Sequence, residues 1–524
     1  MTDIIIVGSG ASAMAAAWEL RDRDVLILDT GLTPPAAPQI KGNLFDLRRN
    51  DKDQEKYILG DRFQSLVNIQ RSDLVSVKLK GPLIDFVIRG FPDMAPVDVQ
   101  GFSPFISYAR GGLANAWGAG AYRYSDYDLA DFPITAGDLE PFYDELTDHM
   151  GISGANDYLE PFFGRIEGLQ PPLPFNRNCG RFFRCWNRRR GRMARGGLHL
   201  GRTQLTLLTR ELDGRPAYSG DSTSFFTTAN PSIYTPAITL ERLIRRANIR
   251  YLPGWMVERF SASGEKVEIQ ARSLEDKSPR TFRGRHLLLA AGAINSGRIV
   301  LRSFDDTRTR LPILDNPVSF IPFVNMAAIG SATDMAGYEG GQLILIYEGP
   351  RFPKRVQGSM YSIISPLRSD LFFNFPFSLQ GNLALMRNII PAMTVLQLFY
   401  PDSPRNGNFL QLRENNRLKI QYREVPRLGA LESLLIRRFL SMGFVSLPQL
   451  VQFPKPGNSI HYAGTIPMER RGLPYHTDRH GRLNRSPRVR LIDGSVFPSL
   501  PAKNLTFTLM ANAMRVARDL KRSD

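Results

Sequence analysis

The chain has 524 residues, 43% hydrophobic and 22% charged, which is too long for one compact core and too apolar for extensive disorder. Its 67 Lys and Arg against 50 Asp and Glu leave a net charge of +17, a balance that favours anionic partners on encounter but specifies neither fold nor chemistry. Two cysteines, Cys179 and Cys185, exclude a disulfide framework, and six histidines without an HExxH pattern give no metal site.

The first element is an apolar run, Ile4 to Val7, that reads as a strand and leaves no room for a signal peptide. Gly8-Ser9-Gly10-Ala11-Ser12-Ala13 then leads into a helix over Ala11 to Leu20, and Val25 to Leu28 forms a second strand ending at Asp29. This is a βαβ unit with a glycine-rich first turn. Gly8 permits the tight turn, Gly10 lets the backbone approach a pyrophosphate, and Ala13 allows close helix packing. Ala11 and Ser12 open the helix, whose free N–H groups face the phosphates, and Asp29 stands where a carboxylate accepts hydrogen bonds from a ribose. A dinucleotide is expected, and the motif alone leaves NAD and FAD both open.

From Asp46 to Pro104 the periodicity is weak, as in extended connecting segments. Pro133 to Met150 reads as a helix begun by Thr135 or Asp138. Arg181, Arg184, Arg188, Arg189, Arg190, Arg192 and Arg195 lie among Phe182, Phe183 and Trp186, and are read as a basic surface loop. An anionic-substrate cradle, an acidic glycan and peripheral membrane contact stay open for it. No nucleic-acid module's signature appears, so nucleic acid is not expected as a partner. Arg250 to Ala271 alternates as strands, and His286 to Ala290 is a buried strand entering Ala291-Gly292-Ala293. Residues 312 to 454 are rich in aromatic and β-branched residues and are read as a separate, mainly antiparallel substrate domain with a helix over Gly429 to Met442. A final helix spans Thr506 to Leu520. No run of about 18 apolar residues suggests a transmembrane helix, and cytoplasmic residence is the default expectation.

Several segments resemble the glucose-methanol-choline (GMC) family of FAD oxidoreductases. Arg110-Gly111-Gly112-Leu113-Ala114-Asn115-Ala116-Trp117-Gly118 is similar to the family's Gly-Gly loop, and Leu287 to Ser296 to its second signature. His461-Tyr462-Ala463-Gly464-Thr465, Leu491 to Pro498 with Asp493-Gly494, and Asn504-Leu505-Thr506-Phe507-Thr508 follow the family's order at the C-terminal end. The likeness is thin across residues 312 to 450.

The resemblance implies an α/β protein. A Rossmann-like FAD-binding domain would be assembled from residues 1–45, 100–150, 200–311 and 455–524, with connecting or lid segments at 46–99 and 151–199 and the α+β substrate domain inserted at 312–454. It assigns His461 as the base that takes a hydroxyl proton, and Asn504 as the amide that holds the developing alkoxide. Arg110, Gly111, Gly112, Asn115, Ala116, Trp117, Gly118, Val257, Ala291, Gly292, Asp493, Gly494, Asn504, Leu505 and Thr506 would contact FAD. Some relatives, pyranose oxidases among them, attach flavin through a His just before the Trp of the Gly-Gly loop. Ala116 stands there, so FAD is expected to be noncovalent. A histidine of ordinary pKa near 6.5 suits proton removal as hydride leaves carbon. The substrate implied is an alcohol, a sugar or polyol foremost; an FAD-containing lyase and a noncatalytic basic binding protein remain alternatives. For Asn504 a helix N-cap, and for Asp493-Gly494 a plain turn, are the competing readings.

Overall fold

The computed structural model describes residues 2–34, 44–69, 76–91, 93–220, 227–334, 338, 340–363, 377–425, 428–469 and 472–523. Parts of the expected 1–45 and 312–454 units therefore lie outside the described residues.

The N-terminal reading is realised as strand Thr2–Val7, helix Ala11–Glu19 and strand Val25–Leu28. Ile4, Ile5 and Ile6 have no solvent exposure, which is why the strand shows a continuous apolar run instead of alternation. Five parallel strands lie in the order Ser486–Leu491, Pro279–Leu289, Thr2–Val7, Val25–Leu28, Ile249–Leu252, with the short strand Arg482–Leu483 antiparallel at one edge. The first half of Pro279–Leu289 pairs instead with an antiparallel meander, Trp255–Ser263 and Lys266–Ser273. The helix Ala11–Glu19 buries Ala13, Ala16 and Ala17, and these small side chains let it lie close to the C-terminal helix Thr506–Ser523. The helix Ala136–Met150 packs on the other side of that helix and starts from a Thr135/Asp138 capping box.

A second, wholly antiparallel sheet has the order Phe444–Val445, Val318–Asn325, Met393–Phe399, Phe352–Ser362, Leu343–Gly349, Leu198–Arg202. One face is sealed by helices Arg177–Asn187 and Ala430–Leu440, with Phe182, Trp186, Leu435 and Phe439 packed on Leu345, Leu396 and Leu398. The opposite face carries Gln357 and Phe399, which are direct cross-strand partners.

Four expectations differ from this architecture. The Arg-rich segment is two helices, Arg177–Asn187 and Arg190–Arg195, and not a loop: Asn176 caps the first, while Cys179, Phe182 and Trp186 form a buried stripe that its arginines flank. The 151–199 stretch consequently supplies core to the antiparallel sheet, and Leu198–Arg202 is one of its strands. Within 46–104, short helices Leu44–Asn50, Gln54–Ile58, Gln64–Ile69 and Val77–Lys80 replace the extended segments, each too brief to show a period. In the converse direction, the hairpin Phe409–Leu412 and Leu418–Gln421 buries Leu410, Leu412, Leu418 and Ile420 in the core of the parallel sheet, although it lies inside 312–454. Cys179 and Cys185 are free thiols.

Candidate active site

The order of the parallel strands reverses at Thr2–Val7, whose neighbours are Val25–Leu28 on one side and Pro279–Leu289 on the other. Ligands of open parallel sheets bind at such a switch, beyond the carboxyl ends of the strands. A cleft with about 1360 Å³ of open space lies there. It is lined by Gly8, Gly10, Ala11, Ser12, Asp29, Gly112, Val257, Ala291, Gly292, Asp493, Gly494, Leu505 and Thr506 among the residues expected at a cofactor.

The two glycines of the first turn are required for different reasons. Gly8 has φ +99, and a Cβ there would lie 2.6 Å from the Ala290 carbonyl oxygen. Gly10 has an ordinary φ of −68 and a Cβ there would meet no protein atom within 4 Å. No contact within the protein demands glycine at position 10; the space it leaves opens on the cleft at a helix N-terminus with no side-chain cap. That vacancy fits a diphosphate held by free N–H groups.

Asp29 is buried and accepts hydrogen bonds from Ser9 Oγ and from Tyr251 Oη, the latter at 3.0 Å. Burial pushes its carboxyl up to about 6 against those two donors. Ser9 also accepts from the Gly111 N–H at 2.9 Å, so one hydroxyl ties the first turn to the Gly-Gly loop. That loop turns through left-handed Gly111 and Gly112, and a Cβ on Gly112 would come within 3.3 Å of Gly10 Cα.

Other expected ligands point elsewhere. Ala13 is fully buried against the helix layer. Arg110 pairs with Glu241 at 3.1 Å, and Asn115 donates to the carbonyls of Arg110 and Gly112, closing the loop on itself. Ala116 packs against the small cluster around Leu79 and Phe86, and Trp117 donates to the Tyr234 carbonyl. Gly118 faces open space without lining the cleft. Asp493 lines the cleft, but its carboxylate is occupied by the Gly292 N–H at 2.8 Å, Ser296 Oγ at 2.5 Å and the Ser495 N–H at 2.9 Å, so it braces two loops.

His461 and Asn504 do not line the cleft themselves, but their neighbours Ile460, Tyr462, Leu505 and Thr506 do. His461 is partly buried, stacks on Phe399 with centroids 4.8 Å apart, and lies 3.0 Å through Nδ1 from Asn316 Oδ1. Burial alone pushes its imidazole down to about 4, because no carboxylate faces the ring to favour the charged form. Its backbone N–H donates to Ser459 Oγ, and Ser459 in turn donates to buried Asp315. Asn504 Oδ1 accepts from Gln357 Nε2 at 3.0 Å. The helix starts two residues later at Thr506, so the expected alternative role as an N-cap is not what the side chain does. Gln357 and Phe399, paired across the second sheet, thus touch Asn504 and His461 respectively and bring both residues to one sheet face.

Sequence reasoning missed Ser9 and Tyr251, and also Arg298, which lines the cleft with Nε and Nη1 meeting no hydrogen-bond partner among the described residues. It stands on helix Ala293–Ser303 with Asn295 and Arg302, a spacing of three and four that puts all three on one side. That spacing was available in the sequence.

Residues 452–513 match the family model described as GMC oxidoreductase. Over its whole length the chain is similar to the crystal structure of pyridoxine 4-oxidase from Mesorbium loti, with a TM-score of 0.57 and 14% identity, covering 100% of this chain and 99% of that one. No curated protein matches the sequence. The structural likeness is one of fold, an α/β architecture with a parallel sheet and a cleft at its switch point. The family likeness lies in the C-terminal segment that the model matches, which carries His461, Asp493, Gly494 and Asn504. No described helix is long and apolar enough to cross a membrane.

Proposed function

We propose that the chain oxidises a small alcohol, with noncovalent FAD held along the switch-point cleft of a Rossmann-like domain and the substrate placed between that cleft and the antiparallel sheet. What supports this reading is the convergence of the space at Gly10, Asp29, Gly494 and Thr506 on one cleft whose lining also includes Tyr462 and Leu505, the chain neighbours of His461 and Asn504. FAD, when bound, supplies the hydride acceptor. His461, neutral because it is buried without a counter-charge, takes the hydroxyl proton on Nε2. Asn504, its oxygen engaged by Gln357, turns its amide hydrogens toward the developing alkoxide.

The sheet face over the site alternates polar Gln357, Ser359 and Gln397 with Phe320 and Phe399. The polar members suit a sugar or polyol. Phe399, stacked on the imidazole, favours as a second reading a hydroxymethyl group carried on an aromatic ring, the kind of substrate named for the similar oxidase. The test is anaerobic spectroscopy of the purified protein against sugars, polyols and aromatic alcohols, pyridoxine included. A competent alcohol bleaches the flavin band, and His461→Ala slows that bleaching by at least a hundredfold, the scale of a lost general base. A lyase would leave the band unchanged, and a noncatalytic protein would purify without flavin.

A further inference from the structure

The imidazole of His461 is held by a side chain that none of the sequence motifs contains. Asn316 follows the two-residue strand Leu314–Asp315, which pairs with Tyr462–Ala463, so the sheet register itself brings it beside His461. It is fully buried, and its Nδ2 donates two hydrogen bonds, to the carbonyls of Tyr400 at 2.8 Å and Pro501 at 2.9 Å. An amide group has two N–H donors and one oxygen. Both donors are therefore committed, and the oxygen is what faces His461 Nδ1 at 3.0 Å. Turning the amide over would set its oxygen against two carbonyl oxygens and strip both of partners in a buried setting.

A neutral imidazole carries one hydrogen, on either nitrogen. Facing an oxygen that can only accept, Nδ1 must be the protonated one. We propose that Asn316 is a positioning residue that fixes His461 in the Nδ1–H tautomer, so that the lone pair is presented on Nε2, which meets no partner among the described residues. The inference rests on the reading of His461 as the base. The same amide also grips Pro501, three residues before Asn504, and so sets the distance between the two groups that meet the alcohol. An uncharged acceptor does this without raising the proton affinity of the ring, as a carboxylate in its place would. Nε2 consequently stays free of a proton until the substrate delivers one.

The test is nitrogen NMR of the FAD-loaded enzyme labelled with ¹⁵N-histidine at pH 7, with the His461 signals assigned by their loss in His461→Gln. The expected spectrum has Nδ1 in the protonated range and Nε2 in the unprotonated range. In Asn316→Ala the two signals move toward each other as both tautomers become populated, and anaerobic flavin reduction slows by about tenfold, well short of the ~10⁴ that an imposed wrong tautomer costs a serine protease. If that variant does not fold, the parent spectrum alone decides. A proton on Nε2 in the parent, or unchanged nitrogen signals in Asn316→Ala, overturns the proposal. The expected spectrum combined with a His461→Gln enzyme that reduces as fast as the parent would instead overturn the base reading and leave the tautomer assignment standing.

Discussion

Acidification provides a quantitative probe of His461. Its ring is lowered from the ordinary 6.5 to about 4 by burial alone. With a pKa of about 4, about 97% of the imidazole is neutral at pH 5.5; with the ordinary value only about 9% would be. The limiting rate of anaerobic flavin reduction, measured by stopped flow with saturating alcohol, should therefore be nearly the same at pH 5.5 and pH 8 and fall only as the pH approaches 4. An acidic limb centred near 6.5, a loss of about tenfold by pH 5.5, would show that the ring is solvated or faces a charge, and would refute the argument from burial.

Other expectations follow from the same geometry. Gly10→Val should abolish flavin retention on purification while melting close to the flavin-stripped parent, because its Cβ meets nothing within 4 Å; Gly8→Ala should instead melt below the flavin-stripped parent, since φ +99 and the Ala290 carbonyl oppose a Cβ. Equal losses of stability in both would contradict the assignment of the vacancy to a ligand. Lys503 is buried, donating to Asp128 at 2.5 Å and to the carbonyls of Phe162 and Arg123 at 2.6 and 3.0 Å. Lys503→Met strands the Asp128 carboxylate and should cost about 3–5 kcal/mol in urea unfolding, with Asn504 next in sequence displaced. His149, buried between Trp18 and Tyr234, is pushed down to about 3 by burial. Because its folded value lies below the unfolded 6.5, the unfolded chain binds the extra proton, so stability is retained above pH 6.5 and lost as pH falls toward 3. Between pH 6.5 and 4.5 this amounts to an upper bound of about 3 kcal/mol, and His149→Gln should flatten that part of the melting-temperature profile.

What the sequence disclosed depended on how local each signal is. The βαβ unit was readable because strand, glycine turn, helix and Asp29 are contiguous and each has its own chemistry. Ser9 and Tyr251 were not, because their hydrogen bonds to Asp29 exist only once strand Val25–Leu28 lies between Thr2–Val7 and Ile249–Leu252. Asn316 was hidden for the same reason, being 145 residues from His461 in the chain and adjacent only through a two-residue strand pairing. In Arg177–Asn187 a helical stripe was present at Cys179, Phe182 and Trp186, but the arginines around it dominated the composition. Resemblance nominated His461 and Asn504, and it also nominated Arg110, Asn115 and Trp117, whose side chains are engaged by Glu241, by the loop's own carbonyls and by Tyr234. A motif marks the backbone path past a cofactor and does not say which side chains along it turn inward.

The most direct measurement is a single anaerobic turnover with an alcohol deuterated at its carbinol carbon. If FAD lies in the cleft with His461 and Asn504 over the alcohol, one equivalent of substrate bleaches one equivalent of flavin, and deuteration slows the bleaching. A flavin band that no alcohol diminishes would contradict it.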